Sequence, residues 1–233
     1  SWLIVFMFLP AIGAVVYFFF GPRRLHRRRL RREVAKAMAA RWVEADAEPL
    51  PQQLADRFWL ASLARVACMS GDGPPRASQG LVVYAGGDET YAAIEQAVHA
   101  ARVQVHLEYY IFEPDAVGQR LRDLLVEKAR ARVQVRVLVD AIGSKNAKPA
   151  FWAPLLAAGA EVRHFNPVRL FSLRASYRNF RTHRKIVVID ALHAFTGGIN
   201  ISAGNSAMSS GGSAWRDTAE IRRGAPAQEL QLL

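Results

Sequence analysis

Between Thr182 and Ser202 the chain reads THRKIVVIDALHAFTGGINIS, which sets His183, Lys185 and Asp190 in the spacing H-x-K-x4-D ahead of Gly197, Gly198 and Asn200. These residue types suit a phosphate site. One of the groups, imidazole, ammonium, glycine N–H or carboxamide, can attack phosphorus, and the others neutralise and orient the oxygens that remain. With six His, five Lys and nine Asp in 233 residues, roughly 0.005 chance matches to H-x-K-x4-D are expected. No His, Cys, Asp or Glu cluster has metal-ligand spacing, so neither a metal nor another cofactor is expected.

The elements that must position these groups read as alternating strands and helices. Lys185–Asp190 (KIVVID) is a β-branched strand with His183 and Lys185 on one face at its entrance. Val105–Phe112 (VHLEYYIF) alternates, placing His106, Glu108, Tyr110 and Phe112 on one face, and Val133–Asp140 alternates again. A short strand near Leu81 and another at Glu161–Phe165 join helices at Glu89–Ala101, Ala116–Ala131 and Phe151–Ala158. Strands separated by helical stretches give an α/β class with a mixed or parallel sheet. Gly86-Gly87 reads as a plain turn, because it lacks G-x-G-x-x-G spacing and Asp88 would repel an anion. Ser202–Ala214 (SAGNSAMSSGGSA) reads as a flexible loop over the cleft.

Charge and hydropathy organise the remainder. The net charge is +11, and seven arginines without an acid occupy Gly21–Arg32 (GPRRLHRRRLRR), leaving +4 for the other 221 residues. Before them Trp2–Phe20 carries no charge, close to the roughly 20 residues that span a bilayer. A signal peptide would place its charges ahead of the apolar run. A transmembrane helix is therefore expected at 1–21, a basic juxtamembrane linker at 22–75 and a catalytic domain at 76–233. The arginine collar keeps that domain cytoplasmic and attracts anionic headgroups. Nucleic acid is not the expected partner. The single cysteine, Cys68, excludes a disulfide scaffold, and half-hydrophobic composition excludes disorder.

The motif with its downstream G-G-x-N resembles the phospholipase D superfamily. HLEYYIFEPD (His106–Asp115), DAIGS (Asp140–Ser144), FNP (Phe165–Pro167), FTGGINI and WRDT (Trp215–Thr218) narrow the resemblance to the bacterial cardiolipin synthases. The resemblance implies a mixed sheet covered by helices behind an N-terminal membrane anchor in the bacterial inner membrane. It further implies a phosphatidyl transfer between two phosphatidylglycerol molecules that releases glycerol and passes through a phosphohistidine. On that basis His183 is the nucleophile and Lys185 holds phosphoryl oxygens. Asn200, Gly197 and Gly198 complete the oxygen pocket. Asp190 is grouped with His183 and Lys185 as a catalytic-motif residue, though an odd number of positions from Lys185 turns it to the other face, where it would order the loop through backbone hydrogen bonds. Asp217 is a candidate partner for His183 Nδ1, and Glu108 a candidate lining residue.

Members of that family carry two copies of the motif, the second histidine acting as general acid. Here one copy is present: none of the other five histidines has a lysine two positions on. The expectation is a first half-site, completed by a second motif-bearing half or a second copy of the chain. A homodimeric single-motif phosphodiesterase and an inactive half-domain are the rival expectations.

Overall fold

The computed structural model describes residues 80–167 and 181–224, with residues 59, 60, 62, 63, 66, 227 and 230 besides. The expected span at 1–21, nearly all of the linker and its boundary with the catalytic domain lie outside the described residues. Among the described residues no helix is long and apolar enough to cross a membrane.

In order, the elements are β1 (Leu81–Tyr84), α1 (Gly87–Ala100), β2 (Gln104–Tyr109), α2 (Ala116–Arg130), β3 (Gln134–Asp140), α3 (Pro149–Ala157), β4 (Glu161–Phe165), β5 (Lys185–Ile189), β6 (His193–Gly197) and β7 (Ala219–Arg223). Local signals fix the helices. Asp115 caps α2, its carboxylate accepting from Val117 N and Gly118 N, while Lys128 and Arg130 complement the dipole in the last turn. Val117, Leu121, Leu124 and Leu125 then fall on one buried stripe. Tyr91, Ile94 and Val98 do the same for α1. Pro149 starts α3, where its missing N–H costs nothing.

The strands form one sheet in the order β1-β7-β6-β5-β2-β3-β4. β2, β3 and β4 are parallel because α2 and α3 carry the chain back between them. β5 pairs antiparallel with β2, and β6, β7 and β1 continue antiparallel, so the sheet is mixed, as the alternation of elements predicts. Alternation along β2 buries Val105, Leu107 and Tyr109 in the main core under the helices. Each such side chain stabilises the fold by about 1.5–3 kcal/mol relative to exposure. β5 is buried at four of its five positions: Val187 and Ile189 join the main core, while Ile186 and Val188 join a smaller cluster with Ala194 and Ala227.

Three details depart from the sequence expectations. β2 stops at Tyr109 instead of Phe112, because Ile111 and Glu113 bond to Ile201 and Phe112 N donates to Ser144 Oγ. β7 was not anticipated; AEIRR has a single large apolar residue and joins the sheet through the β6 ladder on one side and β1 on the other. The stretch read as a flexible loop holds a 3₁₀ turn at Ala203–Asn205 and is tied to α1 where Asp88 accepts from Ser206 Oγ and Met208 N. Gly86 is the N-cap residue of α1, and Gly87 leaves room for the carbonyl of Asn205, which a Cβ would meet at 1.9 Å.

Candidate active site

Antiparallel pairing decides where the chemistry-bearing residues go. Lys185 pairs with Tyr109, so the start of β5 lies at the end of β2. Thr196 pairs with Ile186 and Ala219 with Gly197, which brings the end of β6 and the start of β7 to the same edge. Asp140 closes β3 beside them, since Val139 pairs with Tyr109. His183, Lys185, Gly197, Gly198 and Asp217 thus gather at one edge from positions up to 34 residues apart.

His183 is exposed just before β5, and its ring stacks on Tyr110 with centroids 4.0 Å apart and planes 18° from parallel. Lys185 Nζ donates to the His183 carbonyl at 2.9 Å and sits 5.6 Å above the centroid of the Tyr110 ring, a cation–π distance. Partial burial pushes the Lys185 ammonium below the ordinary lysine value, and the nearby Asp217 carboxylate pulls it back up. One aromatic ring therefore meets both the imidazole and the ammonium.

Asp217 packs against Gly198: a Cβ on that glycine would lie 2.1 Å from either carboxylate oxygen. Asp217 Oδ1 also accepts from Thr218 N at 2.8 Å, while Gly198 N donates to Thr218 O at 2.9 Å. Among the described residues no hydrogen bond joins Asp217 to the His183 ring, and its field acts on Lys185 instead. Asn200 lies in the same turn. Its Oδ1 accepts from Ile111 N at 3.3 Å, which leaves the amide nitrogen as its donor end, and its carbonyl accepts from Tyr91 Oη.

Asp190 does not join this group. It follows the last residue of β5, about 17 Å from Lys185 along the strand, at the edge where Ile189 pairs with Val105. There its carboxylate accepts from Arg102 N, Val103 N and Gln104 N, each at 2.9 Å. Burial raises its pKa, but the three N–H donors outweigh burial and hold it below the usual carboxylate range.

Glu108 accepts from Thr182 Oγ1 at 2.6 Å, and Arg184 Nη1 approaches its other oxygen at 3.6 Å. The sequence reading did not single out Thr182 or the carboxylate of Asp140 as site residues. Asp140 is fully buried and accepts from Ile142 N, Gly143 N and Thr182 N, with Arg181 Nη1 at 3.5 Å. The only advance signal was position, an acid at the end of a strand. Among the described residues no group of His, Cys, Asp or Glu is arranged to hold a metal.

The family model described as cardiolipin synthase, PLD-like domain, matches residues 94–210. The chain belongs to that family. The match runs from α1 past the 3₁₀ turn and includes His183, Lys185 and Asn200. The cardiolipin synthases of Geobacillus kaustophilus and Geobacillus thermodenitrificans are similar to it at 36% and 37% identity, over all of this chain and 46% of each relative. The chain thus spans about half the length of these cardiolipin synthases. Among solved structures, the phospholipase D family member Nuc from Salmonella typhimurium is similar at 18% identity with a TM-score of 0.46, over 65% of this chain and 89% of that one.

Proposed function

We propose that this chain supplies the first half-site of a cardiolipin synthase. A nitrogen of His183 attacks the phosphorus of one phosphatidylglycerol. The P–O bond to the glycerol headgroup breaks, and the phosphatidyl group is left on His183. The primary hydroxyl of a second phosphatidylglycerol then attacks that phosphorus, forming cardiolipin and freeing the imidazole. An acid supplied by a second motif-bearing half, or by a second copy of the chain, protonates the departing glycerol and takes the proton of the attacking hydroxyl.

The observation that carries this reading is the meeting of His183 and Lys185 on Tyr110 beside the Gly198 turn. Lys185 supplies positive charge for the phosphoryl oxygens, and the Asn200 amide and Gly197-Gly198 turn supply neutral donors. The names of the relatives support the phosphatidyl group as cargo. The exposed position of His183 suits a lipid headgroup that arrives from outside. The apolar run at 1–21 and the arginine collar would hold the domain at the cytoplasmic face of the inner membrane, where its anionic substrates lie.

The test is His183→Ala in the completed site, this chain joined to a second motif-bearing half or paired with a second copy, presented with phosphatidylglycerol vesicles. Cardiolipin formation is expected to vanish, together with an acid-labile phosphatidyl adduct that the parent protein accumulates after rapid quenching. Cardiolipin made at the parent rate by the variant would overturn the assignment.

A further inference from the structure

The backbone that carries His183 does not continue the line of β5. Glu108 pairs with Ile186, so in an unbroken antiparallel register Thr182 would lie four residues, about 13 Å, further along. Instead its hydroxyl donates to Glu108 Oε1 at 2.6 Å, and its N–H donates to the buried carboxylate of Asp140 at 3.3 Å. The last register bond, Tyr110 N to Arg184 O at 3.1 Å, marks where the chain turns across the ends of β2 and β3. The arginines on either side of Thr182-His183 meet the same two carboxylates, Arg181 with Asp140 and Arg184 with Glu108.

We propose that Glu108 and Asp140 are positioning residues that act through Thr182 to hold His183 against Tyr110. Two acids at the ends of adjacent parallel strands grip one threonine from two directions, hydroxyl and amide, and so fix the bend that presents the next residue. Charge-assisted acceptors are the stronger kind, and a rigid seat matters because a 1 Å misplacement of a reacting group costs about 10²-fold in rate. Glu108 is thereby assigned to the seat of the nucleophile and not to substrate. This assignment rests on the reading of His183 as nucleophile only for its effect on rate, since the seat itself is a matter of ring position.

The experiment uses the same completed assembly, labelled with 13C-histidine in detergent micelles, as the parent and as Thr182→Val and Thr182→Ser. Stacking on Tyr110 places the His183 ring C–H signals in that ring's current. Thr182→Val keeps shape and loses the hydroxyl: its His183 signals are expected to move toward those of a free histidine, with kcat for transfer down by about 10²-fold and KM little changed. Thr182→Ser restores both. If Thr182→Val does not fold, Glu108→Ala is read in the same way and is expected to move the same signals. Unmoved ring signals, or a serine variant as defective as the valine one, overturn the positioning role. Displaced signals with transfer intact overturn instead the reading of His183 as nucleophile and leave the seat standing.

Discussion

The Tyr110 ring covers one face of the His183 imidazole, 4.0 Å away and nearly parallel. Gly143 lies close against Tyr110: a Cβ there would lie 2.2 Å from the Tyr110 carbonyl and 2.9 Å from its ring. The Ser144 hydroxyl donates to the same carbonyl at 3.1 Å. The stack covers one face of an otherwise exposed imidazole. An aromatic pair of this kind is worth about 0.5–1.5 kcal/mol, or up to about tenfold in rate if the stack is needed for attack. Tyr110→Phe keeps the ring and is expected to form cardiolipin within about twofold of the parent, whereas Tyr110→Ala is expected to fall about tenfold. Steady-state product formation by mass spectrometry measures both. An alanine variant as fast as the phenylalanine one removes the stack from the mechanism.

Lys185 predicts an alkaline limb. Burial lowers its pKa, so the charged form that the proposed transfer requires is lost at a lower pH than for a free lysine. Asp217 opposes burial. Asp217→Asn removes the carboxylate that raises the Lys185 pKa, and the limb of the pH–rate profile is expected to move to lower pH still. Stability changes in the opposite sense: protonated Lys185 is disfavoured in the folded state, so its penalty is present at neutral pH and is relieved as pH rises from the lowered value toward the unfolded one. A limb that stays in place in Asp217→Asn would separate the two side chains.

Gly198 tests whether the Asp217 carboxylate must lie where it does. A methyl at this position meets both carboxylate oxygens at 2.1 Å, so Gly198→Ala is expected to displace Asp217 and to cost one to two orders of magnitude in kcat. The strain of overpacking is about 1–3 kcal/mol, visible as a modest drop in melting temperature. Gly86→Ala is the control, since a Cβ there meets nothing within 4 Å. Equal activity in the two variants would mean that Asp217 is free to move.

What was legible in the sequence was the part that local pattern controls. β-branched KIVVI is a strand whose last four residues are buried on both faces, and Asp115 starts α2 because its carboxylate reaches two orphan N–H groups. The motif residues His183 and Lys185 were legible because a strand entrance holds both within reach of one partner. The identity of that partner was not, since Tyr110 meets them only through the β2–β5 pairing. Thr182 and Asp140 escaped for the same reason: their roles depend on a bend that leaves the β5 register, and no local pattern encodes it. Asp217 was noticed by resemblance, but its packing on Gly198 is a product of the β6–β7 ladder.

Asp190 offers a prediction in which the shared motif divides into chemistry and scaffold. Its backbone has φ +51°, a left-handed conformation that Asp and Asn tolerate better than most residues. Asp190→Asn therefore leaves the turn feasible and changes the charge. Three N–H groups at the entrance to β2 lose a charged acceptor, at a cost of about 1–3 kcal/mol. Because the folded pKa is depressed, the stabilising contribution is fully present above the unfolded value near about 3.9 and is lost as pH falls through the folded value. Melting curves of parent and variant should therefore differ at pH 7 and converge in acid. The His183 edge lies at the other end of β5, so kcat measured well below the melting temperature is expected to stay within about threefold of the parent, the scale of a remote perturbation of under 1 kcal/mol. Loss of transfer without loss of stability would place Asp190 among the groups that act on substrate, and would require the two ends of β5 to be coupled.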